Sequence, residues 1–453
     1  MGCRRPATRS VVSMTIHVQT YAPSESSRIA PIRAEGSSRS WVALAAWSLL
    51  LTGAHVWGRL VNEDHATKIL APPLFGRFDL RLSPAIVVPV AVAALVVWCA
   101  PRLVGRLGWR TLLVVTMIVA ATWAVSLAAA DGLSALSAPL ENRHDYLSNV
   151  RHVASPGAFV DRYANELPAY SAHAQGHPPG MVLVLWAMQR VGLGGAVPAA
   201  ALLVTVGASA AAAALVTLRA VAGEQRARRA AAFLALAPAA VWIATSADAL
   251  FMGVGAWGIA LLALGAARGS DQLSFLGGLT LGAALMLSYG VVSLGVVAVA
   301  VVLIQRRVRP LVVGGAGVLA VLGAFAVAGF WWFEGLAASL ERYELGVAGE
   351  RPYGFFLIAN LAAFSLAAGP ATAVALGRLR GLPTWAIAGA ALVAVAAADL
   401  SGFSKGEVER IWLIFLPWVL IACSAFEFHR ARGMLGLQAV VALAVQTGVR
   451  TPW

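Results

Sequence analysis

The residues best equipped for chemistry gather in one polar stretch, Asp131–Gly180, which ends in His177-Pro178-Pro179-Gly180. It holds Glu141, Arg143, His144, Asp145, Tyr146, His152, Asp161, Arg162, Glu166, His173 and His177, and so four of the eight histidines of the chain. Carboxylates beside imidazoles and a tyrosine suit proton transfer, in which a positioned side chain takes a proton from a reacting hydroxyl. The same mixture offers nitrogen and oxygen ligands, and a divalent metal through His144, Asp145, His173 and His177 is the one cofactor these residues suggest. Their spacing lacks a zinc signature, and His173 and His177 bracket Gly176 and precede Pro178, so a shared helix face is not expected. No cofactor is therefore expected. A polar interruption of this length is usually functional or disordered, and its contents favour function.

Two smaller groups join it. Asp248 is an acid inside an apolar stretch, which is a functional hypothesis by default, although an acid near a helix end also serves as a simple cap. The segment Ser404-Lys405-Gly406-Glu407-Val408-Glu409-Arg410 concentrates charge late in the chain, with Lys405 and Arg410 as its cations.

The elements that position these residues follow from composition. Hydrophobic residues make up 59% of the 453 and charged residues 12%, against roughly 25% charged in a soluble domain. Apolar runs near the length of a membrane-crossing helix recur from residue 41 onward, without the alternation of barrel strands. The expected class is an all-α, polytopic helical protein of the cell membrane, with the lipid bilayer as its surroundings. The net charge of +13 lies in short clusters between apolar runs, the pattern of the positive-inside rule, so nucleic acid is not an expected partner. Cys3, Cys99 and Cys423 make no disulfide framework, and the last two read as packing residues.

Residues 1–40 read as a basic, disordered cytoplasmic tail, with Met14 as a second candidate start, and residues 41–449 as one transmembrane domain. Spans are expected near Trp41–Leu60, Pro84–Ala100 and Thr111–Ala130, then Ala196–Leu218, Ala230–Ser246 and Leu250–Ala267. Leu273–Ile304 reads as two short helices broken near Ser288-Tyr289-Gly290. Leu311–Phe333, Gly354–Leu376, Trp385–Leu400, Ile411–Phe426 and a weak Met434–Val449 complete about thirteen spans. With the arginine-rich tail inside, the loop 131–195 falls outside the cytoplasm. Within it, one short helix is expected from Asp145 to about Val153, and a second from N-cap Ser155 with Pro156 in its first turn. The second sets Phe159, Tyr163 and Leu167 on one face, the pattern of a helix lying in the interface plane. Gly180–Val191 is too short to span and reads as a third interfacial helix, entered through the rigid Pro-Pro turn.

An outward span, an acid followed by Tyr146, an interfacial helix and a His177-Pro178-Pro179-led helix resemble the first external loop of GT-C-type membrane glycosyltransferases. Ala237-Pro238 with Thr245-Ser246-Ala247-Asp248, Leu287-Ser288-Tyr289-Gly290, and Lys405…Glu409-Arg410…Pro417 are similar to later motifs of that family, in order, over roughly residues 110–430. The chain departs from the family in three places. Glu141 and Asp145 are separated by three residues, two extra spans precede the loop, and Gly180 stands where a bulky apolar residue is usual.

The resemblance implies an inverting transfer of a mannosyl- or arabinosyl-like sugar from a polyprenyl phosphate. The acceptor would be a lipid, glycan or protein at the extracytoplasmic face of the cell envelope. In that scheme Asp145 is the first choice for the base and Glu141 the second, while Tyr146, His177 and Asp248 line the substrate site. Lys405 and Arg410 would hold the departing phosphate, for which a planar guanidinium is well shaped. Two other classes stay open: a transporter or flippase for a lipid-linked or polar substrate, and an inactive GT-C-like assembly protein. A transporter should show paired halves and charges near mid-span, whereas here the charges gather in loops.

Overall fold

A computed structural model describes residues 1–2, 35–61, 69–428 and 431–452. Most of the tail expected over residues 1–40, together with Cys3 and the acids Glu63 and Asp64, lies outside these described residues. What is described is a multi-pass bundle of apolar helices, with one pair of two-residue strands. Eight of the described helices are long and apolar enough to cross a bilayer: Arg39–Val61, Pro84–Leu103, Trp109–Ala129, Ala196–Ala222, Ala247–Arg268, Arg309–Val327, Leu382–Leu400 and Val408–Ala425. Tyr353–Ala368 and Pro370–Arg378 meet at 91° and would make a ninth as one broken span. The bend has a local cause, since Gly369 sits at φ 80° and Pro370 opens the second helix.

Eight or nine such helices fall short of the thirteen spans expected, because several apolar runs fold as shorter pieces. The run expected over 230–246 is a 12-residue helix, Glu224–Ala235, followed by a 3₁₀ turn at Pro238–Trp242. Pro238 has no backbone N–H to continue the helix. The run 273–304 divides as expected, into Asp271–Leu285 and Leu294–Ile304, around the 3₁₀ turn Tyr289–Ser293. The last helix, Ala431–Gly448, buries Gln438 and Gln446, which lowers its apolar character.

Three spans form the centre. Ala196–Ala222, Ala247–Arg268 and Val408–Ala425 are mostly buried by protein, while Arg39–Val61, Pro84–Leu103 and Arg309–Val327 are peripheral. Lipid supplies no hydrophobic drive between helices, so close approach through small residues decides their packing. Gly253 faces the carbonyl of Val206, Gly207 faces Ala249, and Gly278 faces the carbonyl of Gly314. Val408–Ala425 alternates α and 3₁₀ turns around Pro417, and its first turn carries the buried Arg410.

The polar loop folds over this centre. Asp145 caps the 3₁₀ helix Tyr146–His152, and Ser155 precedes the helix Pro156–Arg162, both as their sequences predict. Phe159, Tyr163 and Leu167 are buried, and their face is covered by protein: Tyr163 stacks on Tyr170 and meets Phe330 edge-on. The third helix, Gly180–Arg190, begins at a close approach. The Gly180 N–H donates to the Met286 carbonyl at 2.9 Å, and a Cβ at Gly180 would collide with that oxygen. Met286 follows the end of Asp271–Leu285, where helix carbonyls lack intrahelical partners. The broken helix thus receives the loop, and the glycine that departs from the family pattern is the residue that fits there.

Gly180→Leu should lower the thermal unfolding midpoint in detergent by the equivalent of about 1–3 kcal/mol. Gly105, with open space around its Cα, should accept alanine without a shift. A Gly180→Leu midpoint equal to wild type would contradict the close approach.

Candidate functional site

The local sequence first fixes the Asp145 end. Asp145 Oδ1 accepts the backbone N–H of Tyr146 at 2.6 Å, and the Asp145 N–H donates to the Asn142 carbonyl at 2.9 Å. Asn149 then staples this turn to a later segment of the loop, at the N-cap of the short helix Ala172–Gln175. Its Nδ2 donates to Ser171 Oγ at 2.6 Å, and its Oδ1 accepts the Ser171 N–H at 2.9 Å. The His173 N–H donates to the His144 carbonyl at 3.1 Å. Those three bonds set the His173 ring beside Asp145, with Nδ1 3.2 Å from Asp145 Oδ2.

His173 reaches onward. Its Nε2 lies 3.3 Å from Nη2 of Arg410. A guanidinium only donates, so Nε2 must be the acceptor there, and the proton must sit on Nδ1, facing Asp145. One neutral tautomer satisfies both contacts.

Arg410 is 6% exposed and held by two carboxylates. Nη1 donates to Asp248 Oδ2 at 2.7 Å and Nη2 to Glu407 Oε2 at 2.7 Å. Asp248 is in the first turn of Ala247–Arg268, where the helix dipole favours an anion. Ser246 caps that helix and its hydroxyl also donates to Asp248 Oδ2 at 2.9 Å. Glu407 is held differently, at φ 64°, a conformation that costs a non-glycine residue energy.

Two aromatic groups flank the chain from Asp145 to Arg410. Tyr146 is buried, with its ring 5.9 Å from that of His173 and 5.7 Å from that of His177. Burial, then the carboxylates of Asp248 and Asp145, raise its phenol well above the ordinary value, so it remains a neutral hydroxyl. His177 donates from Nδ1 to the His173 carbonyl at 2.8 Å and packs against Phe251. Burial lowers its pKa to about 4, against smaller raising effects from Asp248 and the His173 carbonyl. The Tyr163 hydroxyl pins the same turn, 2.7 Å from the Ala174 carbonyl and 3.1 Å from that of His177.

Five of the seven residues singled out in the sequence therefore meet: Asp145, Tyr146, His177, Asp248 and Arg410. Glu141 is exposed at the end of the turn Ala138–Glu141 and is not part of this chain of contacts. Lys405 belongs to a neighbouring group. Its N–H donates to Tyr343 Oη at 2.9 Å, its Nζ to the Gly349 carbonyl at 3.3 Å, and its carbonyl accepts from Arg351. Sequence reasoning singled out neither Glu407 nor the bridging place of His173. The three-residue spacing of Glu407 and Arg410 was the available signal for the first. Nothing in the spacing of residues 173 and 410 pointed to the second. Among the described residues, no group of three or more His, Cys, Asp or Glu side chains is arranged to hold a metal ion.

Such an arrangement can present a carboxylate backed by an imidazole and a buried cation, next to a neutral phenol and a neutral imidazole. Removing one partner of a buried pair is costly, so Asp248→Asn should destabilise by about 3 kcal/mol. Asp248→Asn combined with Arg410→Met should recover part of that loss in a chemical-unfolding cycle; simple additivity would show the pair is not coupled. For His177, the unfolded value of 6.5 lies above the folded one of about 4. The unfolded chain therefore takes the proton first, and stability should be undiminished above pH 6.5 and fall between there and about pH 4. His177→Gln should flatten that part of the curve of unfolding midpoint against pH.

No protein-family model matches the chain, and no curated protein matches it in sequence.

Proposed function

We propose that the protein is a membrane glycosyltransferase that moves a sugar from a polyprenyl-phosphate donor to an acceptor hydroxyl at the extracytoplasmic face, with inversion. The observation that carries this is the join between Asp145 and Arg410, distant in sequence, through the two nitrogens of His173. A base and a cation for a leaving phosphate must lie within one substrate's length, and here one imidazole separates them. Asp145 is the base rather than Glu141, because it is buried and oriented while Glu141 is exposed and unanchored. Asp145 takes the proton from the acceptor hydroxyl as that oxygen bonds to the anomeric carbon. The bond from the anomeric carbon to the phosphate oxygen breaks, and polyprenyl phosphate leaves with the electron pair.

Arg410 already faces two carboxylates, so the phosphate needs to replace one of them. Asp248 is buried at a helix start, whereas the Glu407 side chain is 23% exposed and sits on strained backbone. Glu407 is the carboxylate that yields, with Asp248 keeping the guanidinium aimed. Tyr146 and His177 supply neutral hydrogen-bonding groups beside the sugar. Both Asp248 and Arg410 lie in the first turns of spans rather than at mid-span, which weighs against a transport pathway.

Transfer from radiolabelled polyprenyl-phosphate mannose and arabinose in membranes tests this directly. Asp145→Asn should cut the rate by about 10²–10⁴, Glu141→Gln should leave it near wild type, and Glu407→Gln should lower the donor KM. Equal rates for wild type and Asp145→Asn would sink the proposal.

A further inference from the structure

Beside the Asp145 group lies a cavity of about 380 Å³ that none of the site chemistry above uses. It is bounded by Arg81, Asp131, Asn142, Thr245, Gln446 and Arg450. One wall exists only through the tertiary fold, where Arg77–Phe78 pairs antiparallel with Val449–Arg450. Two residues of the lining share backbone with the site. The Asn142 carbonyl accepts the Asp145 N–H at 2.9 Å, and Thr245 immediately precedes the Ser246 cap of the Asp248 helix.

The polar atoms of the lining are of both kinds. Arg81 spends one Nη on the Asp131 carboxylate and the other on the carbonyls of Gln446 at 2.8 Å and Val449 at 2.9 Å. Gln446 Nε2 donates to Asp131 Oδ2 at 2.9 Å, and Asn142 Oδ1 accepts the His144 N–H at 3.0 Å. Among the described residues this leaves Asp131 Oδ1 and Gln446 Oε1 as unengaged acceptors, and Asn142 Nδ2 and the buried Nε of Arg81 as unengaged donors. The Thr245 hydroxyl, which can do either, also has no partner among them. Thr245 is held at φ 92°, a conformation rare for a β-branched residue and one that marks functional sites.

The lining argues against an anion. A phosphate requires donors alone, whereas two of the open valences here are acceptors, one of them on a carboxylate. The Arg81 charge is taken up by Asp131, and Arg450 is largely exposed to solvent, 3.8 Å from an Asp79 oxygen that it shares with Arg77. Mixed donors and acceptors match a compound rich in hydroxyl groups, and the volume is within the usual range for small-molecule sites, about 300–1,000 Å³.

We propose that this cavity binds an uncharged carbohydrate and, granted the glycosyl-transfer reading above, that it is the subsite for the sugar of the acceptor. The hydroxyl to be glycosylated enters past Asn142 toward Asp145, while the phosphate of the donor stays on the Arg410 side.

The test uses the full chain in nanodiscs, with methyl glycosides of mannose, glucose, galactose and arabinose as probes and saturation-transfer NMR as readout. At least one glycoside should bind wild type, bind about tenfold more weakly in Asn142→Ala, and fail to bind in Ser134→Trp, which fills the cavity from an exposed position of its lining. Inorganic phosphate should not compete. Unfolding midpoints of both variants at the wild-type value separate lost binding from lost fold, and Asn142→Ala stands alone if the tryptophan misfolds. Failure of every glycoside to bind, binding unmoved by Asn142→Ala, or displacement by phosphate each overturns the proposal. Glycoside binding without sugar transfer keeps the carbohydrate site and removes the transferase reading. Transfer with an unchanged acceptor KM in Asn142→Ala and Ser134→Trp does the reverse.

Discussion

A guanidinium taken out of water must be met by opposite charge and by hydrogen-bond acceptors, or it costs several kcal/mol. Arg410 imposes that requirement here, and segments far apart in the chain answer it. Asp248 comes from the start of a central span, Glu407 from the turn before another, and His173 from the polar loop. Each answer constrains something further. The Asp248 carboxylate needs the Ser246 cap, the His173 contact selects one imidazole tautomer, and that tautomer presents its proton to Asp145. The orientation of the carboxylate in the loop therefore depends on a charge buried in the bundle.

The loop can dock this way because backbone approaches backbone. Gly180 brings its N–H onto a carbonyl at the end of a broken helix, and no side chain is compatible with that contact. Small residues at Gly253, Gly207 and Gly278 play the same part between helices. In a bilayer such contacts are the main source of specific helix association, since apolar side chains gain little by leaving lipid. A neighbouring buried carboxylate extends the framework outward: Glu409 Oε1 accepts the Phe75 N–H at 2.9 Å and ties the 69–75 loop to the same helix start.

The candidate site and backbone strain coincide at the edges of this framework. Thr245 and Glu407, two of the three described non-glycine residues at positive φ, each precede a member of the Asp248–Arg410 pair by three residues. Thr245 opens to the polar cavity, and Glu407 holds the more exposed side of the guanidinium. Backbone in such conformations persists only where surrounding contacts over-determine it, and for Glu407 the ion pair with Arg410 is one such contact.

The elements legible in the chain were those with a local signature. Asp145 as a cap, Ser155-Pro156 as a helix start, the break at residues 288–290 and the entry of Gly180–Arg190 all appear where their residue types require. Caps, proline and glycine act on their immediate neighbours, so their message survives without the rest of the molecule. Hydrophobicity alone was a poorer guide to length, since Pro238 ends one expected span early and buried glutamines make the last helix less apolar than a span. Only the tertiary structure decided that His173 bridges Asp145 to Arg410, that Lys405 joins a different group, and that two short strands close a polar cavity. His173 and Arg410 are 237 residues apart, and their contact follows from how several helices pack. No periodicity, cap or turn in either segment carries that information.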